Sequence, residues 1–115
     1  METQVKLWLD DWRKEPPGWT LAKTAPEAIE LLKRGDVDEV SLDYDLGDYR
    51  DDLAYTGRAV AAFIARGAHD GTLPRLTWHV HSNNADGCEI MRRMLDKADT
   101  FWLEREMHEQ ENANG

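Results

Sequence analysis

The chain has little of what a secreted or membrane protein needs. Its one cysteine, Cys88, cannot form an internal disulfide, so a reducing compartment is expected. No apolar run approaches the about 18 residues of a membrane span, and no basic segment followed by an apolar one resembles a secretory leader. These absences predict a cytoplasmic protein that does not use a membrane as a partner.

Basic residues are also scarce. The chain has 14 Lys and Arg against 23 Asp and Glu, which gives a formal net charge of −9. Because phosphate backbones are bound by basic surfaces, duplex nucleic acid is not expected as a partner. Five of the acidic residues crowd into ten positions: Asp43, Asp45, Asp48, Asp51 and Asp52. Crowded carboxylates disfavour one another's ionised form, so the cluster indicates either a bound divalent metal or a solvated loop that holds them apart.

The composition is that of one globular domain. Hydrophobic residues make up 41% and charged residues 32% of the 115 residues, and a chain of this length buries roughly two-thirds of its unfolded surface. We expect residues 1–104 to form a single domain and residues 105–115 to be a frayed C-terminal tail.

The hydrophobic pattern alternates between strands and helices. Strands are predicted at 5–10, 19–23, 38–43 and 75–81. Helices are predicted from T-A-P-E at 24–27 to Gly35, at 57–66, and after Asn83 or Asn84. This order predicts a small α/β fold with a mostly parallel sheet flanked by helices on both faces. The first two strands are separated by only about eight residues, fewer than a parallel crossover normally needs, so their pairing stays open.

Three predicted strands end in chemically active side chains: Asp10 and Asp11, Asp43 and Asp45, and His79, His81 and Ser82. Since the carboxyl ends of parallel strands meet at one sheet edge, where α/β proteins bind ligands, these residues are candidates for a single site. Each group alone is more typical of a loop, a helix cap or a structural histidine. Three strand ends of this kind in one small chain favour a functional site.

Five segments in order resemble one known family. They are V-K-L-W-L-D-D at 5–11, P-P-G-W-T-L-A-K-T-A-P-E-A-I-E-L-L at 16–32, V-S-L-D-Y-D-L-G-D at 40–48, T-G-R-A-V at 56–60 and V-H-S-N-N-A-D-G at 80–87. This pattern is similar to the cyclic-phosphate processing receiver domains, small bacterial and phage relatives of the response-regulator receiver. The resemblance covers roughly residues 5–98.

The resemblance implies roles for four residues. Asp10, Asp11 and Asp43 match the receiver aspartates that bind Mg²⁺, and Ser82 matches the hydroxyl residue that contacts a phosphoryl oxygen. No basic side chain is expected to neutralise the three aspartates.

The chain also departs from the family pattern. Tyr44 stands where relatives tend to have histidine, and Arg58 and Ala59 replace an aromatic and an acidic residue. The strand-ending lysine of phosphate-relay receivers has no counterpart, because Lys97 lies within a predicted helix. The pocket therefore resembles a metal-dependent phosphate-processing site rather than a phosphorylation switch.

These features predict a metal-dependent phosphodiesterase that acts on a cyclic or diester nucleotide phosphate with Mg²⁺ or Mn²⁺. Asp45 is expected to orient or deprotonate water, and His81 to protonate the leaving oxygen or join the metal shell. Ser82, Asn83, Asn84 and the first amides of the following helix are expected to bind phosphate oxygens.

Two alternatives remain open at this stage. The chain can be a binding module that sequesters a nucleotide without hydrolysing it, with Trp12 and Trp19 stacking on the base while Trp8 and Trp78 lie in the core. It can also be a protein-interaction domain with a vestigial metal pocket. The sequence indicates no oligomeric state.

Overall fold

A computed structural model describes residues 4–46 and 55–114 of the chain, with side chains up to residue 111. Its elements in chain order are β1 (Val5–Leu9), β2 (Thr20–Ala22), α1 (Ala25–Leu32), β3 (Val37–Leu42), α2 (Gly57–Asp70), β4 (Thr77–Val80) and α3 (Ala85–Asn114). None of the described helices has the length and apolar content needed to cross a membrane. The predicted receiver-like α/β class is confirmed.

The four strands form one parallel sheet in the order β2-β1-β3-β4. The open question about the first two strands is thereby answered, because β1 and β2 are parallel neighbours with Leu7 opposite Thr20. Residues 10–19 make this crossover without a helix. The Pro-Pro-Gly turn explains why: Pro16 and Pro17 lack amide donors, and Gly18 has a φ of 88° that other residues rarely adopt.

The described helices cover only one face of the sheet, which corrects the expectation that helices flank both. Helix α1 contacts α2, and α2 packs along α3, so the three lie side by side. Under them are the fully buried side chains of Leu7, Leu9, Val40 and Leu42. The face that they leave uncovered is called here the open face. It carries the alternate residues of the same strands, Lys6, Trp8, Glu39, Ser41, Thr77 and His79.

The predicted start of α1 is confirmed, whereas the predicted end of α2 is wrong. The start of α1 is as predicted, since the Thr24 hydroxyl accepts a 3.2 Å hydrogen bond from the Glu27 amide. Helix α2, however, continues past residue 66 to Asp70, where Gly71 ends it with a φ of 77°. Gly67 lies inside this helix. A glycine is needed there because a Cβ would stand only 2.6 Å from the Leu73 Cβ. This glycine serves close packing and does not break the helix.

The C-terminal segment predicted to fray is helical as far as Asn114. Three contacts tie this end of α3 to the body of the domain. The Trp102 indole donates to the Leu73 carbonyl at 3.0 Å, Arg105 donates to the His69 carbonyl at 2.9 Å, and Arg75 pairs with Glu106 at 2.7 Å. His69 belongs to α2.

Candidate active site

The strand order reverses direction between β1 and β3. From β1 the chain moves to β2 on one side, then crosses back to β3 on the other side. In open parallel sheets the crevice at such a reversal, beyond the carboxyl ends of the strands, is where ligands bind. Asp10 directly follows β1, and Asp43 directly follows β3. The two carboxylates predicted as metal ligands therefore flank this crevice.

Asp10 is almost fully buried, at 1% exposure, and both of its oxygens are engaged. One oxygen, Oδ1, accepts from the amides of Trp12 at 2.8 Å and Arg13 at 2.9 Å. The other, Oδ2, lies 3.0 Å from Nε2 of His81 and 3.3 Å from the Arg13 guanidinium. Burial alone would raise the pKa of Asp10, but the accepted hydrogen bonds, led by the Arg13 amide, hold that pKa below its usual value. Asp10 is therefore an ionised carboxylate at neutral pH.

Asp43 is buried beside it in a less favourable setting. Its Oδ1 accepts from the Tyr44 amide at 2.8 Å, and its carboxylate interacts with the Ser82 hydroxyl. Burial raises the pKa of Asp43, and the negative charge of Asp10 raises it further. The backbone is crowded here too, because a Cβ on Gly57 would collide with the Asp43 carbonyl oxygen. Gly57 thus lets α2 begin directly against the site.

The geometry of the three aspartates suits a divalent cation. Asp10, Asp11 and Asp43 each offer an oxygen within 4.8 Å of the others, with Asp11 exposed and the other two buried. Such an all-carboxylate set has the chemistry that Mg²⁺ and Mn²⁺ prefer. The buried charge repulsion between Asp10 and Asp43 is what a bound cation would relieve. These three residues are therefore suited to hold a Mg²⁺ or Mn²⁺ ion.

One expectation about this trio is wrong. The guanidinium Nη1 of Arg13 lies 3.3 Å from Asp10 Oδ2 and 3.9 Å from Asp43 Oδ2. A basic side chain therefore does partly neutralise the pair. The missed signal is its position three residues after Asp10, where the short turn that Asp10 caps brings it back over the carboxylate.

His81 joins the site through both ring nitrogens. Its Nε2 faces Asp10, and its Nδ1 lies 2.6 Å from the Ser41 hydroxyl. Because the ionised Asp10 can only accept, Nε2 carries the hydrogen in the neutral ring and Ser41 donates to Nδ1. Burial lowers the pKa of His81, and the hydrogen bond to Asp10 opposes that effect without cancelling it.

Ser41 is a site residue that the sequence reasoning missed. It is buried and lies two positions before Asp43 on β3, so it shares the face on which Asp43 and His81 lie. That period of two along the strand was the available signal.

The β4–α3 turn presents the predicted phosphate-binding residues. The side-chain oxygen of Asn84 caps α3 by accepting a hydrogen bond from the Gly87 backbone amide at 2.8 Å. The backbone amide of Asn84 donates to the Ser82 hydroxyl at 3.2 Å. The Asn84 side chain also reaches Asp45, with contacts of 3.3 and 3.5 Å. Asn83 is exposed. Asp48, Asp51 and Asp52 lie outside the described residues.

The tryptophans are not distributed between the site and the core as the sequence predicts. Trp12 is 84% exposed beside the site. Trp8 is half-buried on the open face, not in the core, and its ring stacks on His81 at 3.9 Å between centroids. Trp19 meets the edge of Trp8 at 5.7 Å. Trp78 packs against the core and donates to Asp99 at 3.0 Å.

His79 lies apart from the carboxylates. Its Nε2 contacts Glu39 at 2.7 Å, and its side chain is 51% exposed. It shares the open face with His81, as the period of two predicts, but stands one step back from the strand ends. The structure therefore brings together Asp10, Asp11, Asp43, His81 and Ser82, and leaves His79 outside.

The relay lysine is missing from the described residues, as the sequence predicts. After β4 they form α3 alone, and Lys97 lies exposed on that helix. Among the described residues, no strand follows β4, so none ends in a lysine at the position of the relay lysine.

One comparison with known proteins identifies a family. The family model of the cyclic-phosphate processing receiver domain matches residues 5–97, which include every described strand and the whole site. Neither the comparison with curated proteins nor the comparison with solved structures finds a match. The chain therefore belongs to the family of cyclic-phosphate processing receiver domains.

Proposed function

We propose that this protein is a metal-dependent phosphodiesterase that opens a cyclic, or cleaves a diester, nucleotide phosphate. The observation that carries the proposal is the convergence of three carboxylates, an imidazole and a hydroxyl at the reversal point of the sheet. The buried free thiol of Cys88 is consistent with a cytoplasmic setting.

Asp10, Asp11 and Asp43 would hold the Mg²⁺ or Mn²⁺ ion. The chemistry that a bound divalent cation supplies in such a site is neutralisation of phosphoryl charge and acidification of water. The buried side chains of Asp10 and Asp43 exclude solvent from their side of the crevice. Asp11, which is exposed, completes the set from the solvent side.

The β4–α3 turn is the proposed phosphate cradle. Ser82, Asn83 and Asn84 lie at the N-terminus of a long helix, whose free amides and dipole favour an anion. Asp45 is linked to this turn by Asn84, so it stands beside the bound phosphate. There it would orient or deprotonate the attacking water.

His81 is the proposed general acid. Its ring is fixed by Trp8 and Ser41, which leaves the Nε2–H directed at Asp10. As a general acid, His81 would act in its imidazolium form: the Asp10 contact opens, Nε2 donates its proton to the leaving oxygen, and a neutral ring protonated on Nδ1 remains. The base of the nucleotide would stack on Trp12, which is exposed beside the site, or on Trp19, which contacts the edge of Trp8.

A second function is favoured by one observation. Both ring nitrogens of His81 are engaged within the protein, so the ring as it stands has none free for proton transfer. A receiver-like module that binds a nucleotide phosphate without cleaving it needs no such transfer.

One experiment separates these functions. The purified protein is incubated with a panel of cyclic mononucleotides and dinucleotides, with Mn²⁺ or with EDTA, and both turnover and binding are measured. Turnover with Mn²⁺ that EDTA abolishes supports the phosphodiesterase. Binding without turnover supports the sequestering module, and the absence of both contradicts the two proposals.

A further inference from the structure

Arg13 provides a positive charge beside two buried carboxylates. Its guanidinium contacts the Oδ2 atoms of both Asp10 and Asp43, at 3.3 and 3.9 Å. Among the described residues, the ion pairs that these two carboxylates form with lysine or arginine all go to Arg13. In the absence of a metal, this side chain therefore offsets the repulsion between two buried negative charges.

A divalent ion and this guanidinium compete for the same carboxylates, those of Asp10 and Asp43. The candidate ligand atoms of Asp10, Asp11 and Asp43 lie within 4.8 Å of one another, which leaves no room for both cations between them. Two positive groups at that separation also repel each other.

The Arg13 side chain is free to leave the carboxylates. It is 34% exposed, whereas its backbone is fixed through the amide bond to Asp10 Oδ1. The guanidinium can therefore move into the mouth of the crevice while the turn keeps its shape.

The segments around the ends of β3 and β4 have no basic side chain to meet a phosphate. No lysine or arginine occurs between Glu39 and Tyr49, or between Thr77 and Met91, which are the segments around the ends of β3 and β4. Three carboxylates around one divalent ion still leave one negative charge. A phosphate ligand therefore needs a further positive group, and Arg13 is the one whose guanidinium already contacts two of the carboxylates.

We propose that Arg13 is a two-position residue: it holds Asp10 and Asp43 in the metal-free protein, and it binds the phosphate of the ligand once a divalent ion displaces it. The guanidinium is suited to the second position because its paired N–H groups match two phosphate oxygens. This inference rests on the proposed metal-dependent function. It adds the residue that recognises the phosphate.

The test measures binding of two simple probes without any assay of turnover. Free Mn²⁺ is followed by electron paramagnetic resonance during titration of the wild type, Arg13→Gln and the matched control Lys14→Gln. Lys14 is the neighbouring exposed cation, so its loss changes the net charge equally without removing a carboxylate contact. Arg13→Gln is expected to bind Mn²⁺ roughly tenfold more tightly, since a competing positive charge is gone, and Lys14→Gln is expected to match the wild type.

The second probe is inorganic phosphate, added to each protein at saturating Mn²⁺ and detected by ³¹P line broadening. Phosphate affinity is expected to fall about tenfold or more in Arg13→Gln and to stay unchanged in Lys14→Gln. Opposite changes for the two probes are not produced by a merely structural role, which would weaken both. Arg13→Lys retains the charge and is expected to lie between wild type and Arg13→Gln for both probes, which also covers poor folding of the glutamine variant.

The outcomes are distinct. Mn²⁺ affinity that is equal in the wild type and Arg13→Gln overturns the first position, and phosphate affinity that is equal in them overturns the second. A wild type and an Arg13→Gln that both fail to bind Mn²⁺ refute the metal site itself, and with it the proposed phosphodiesterase.

Discussion

The two faces of the sheet are built from alternate residues of the same strands, yet they have opposite character. On the covered face, Leu7 and Leu42 are fully buried under three helices. On the open face, Lys6 and His79 are about half exposed and meet at Glu39. Parallel sheets are usually buried on both sides, so an uncovered face is unusual. Its origin is the crossover at residues 10–19, which carries prolines in place of a helix.

The comparison explains where the chemistry of the domain comes from. Asp10 continues the alternation of Trp8 along β1, Asp43 continues that of Ser41 along β3, and His81 continues that of His79 along β4. The candidate site is thus the carboxyl end of the open face, where polarity is tolerated because none of the described helices covers it. The covered face supplies stability and the open face supplies reactive groups.

The largest expected effect separates two histidines on the open face. Replacing His81 with Gln should leave nucleotide binding nearly intact and slow turnover by about 10²–10⁴-fold, because the proposed proton donor is lost. The matched variant His79→Gln should keep turnover. Its free energy of unfolding should change by about 1 kcal/mol or less, since the ion pair that His79 forms with Glu39 is open to solvent. Steady-state kinetics on the substrate found in the nucleotide panel measures the turnover of both variants, and urea unfolding measures the stability of His79→Gln. Equal losses would indicate a paired-histidine site, and full activity in His81→Gln would remove this residue from the mechanism.

The second effect compares the faces by stability. Leu42→Ala should lower the free energy of unfolding by about 2–5 kcal/mol, because it opens a cavity in the core. Thr77→Ala on the open face should change it by about 0.5 kcal/mol or less, since that side chain is exposed. Urea unfolding followed by circular dichroism measures both. Similar losses would mean that something covers the open face in solution.

A smaller effect tests the link between Ser41 and His81. Ser41→Ala removes the hydroxyl that donates to Nδ1, which should cost about 1 kcal/mol of stability. The neutral His81 ring should carry its hydrogen on Nε2 in the wild type, and ¹⁵N NMR reports this directly. A wild-type ring protonated on Nδ1 would contradict the assignment of Asp10 as the acceptor.

Much of this arrangement follows from short-range patterns in the sequence. The period of two in the strands placed Asp10, Asp43 and His81 at one edge, and the Thr24 cap was predictable because such signals act within a few residues. The existence of the open face could not be predicted from the sequence, because it depends on the side of the sheet on which each crossover connection lies. The same holds for Ser41 and Arg13. Their roles arise from tertiary neighbours rather than from the motifs that contain them.

The most direct measurement of the central claim is the melting temperature of the metal-free protein with and without millimolar Mg²⁺ or Mn²⁺. An ion that binds only the folded state at about 100 times its Kd adds about 2.7 kcal/mol, so a clear rise is predicted. Asp43→Asn should abolish that rise. It should also stabilise the metal-free protein at neutral pH, because the raised pKa of Asp43 means that its ionisation opposes folding, so stability falls as the pH rises through that value. A wild-type melting temperature that neither ion changes would contradict the account.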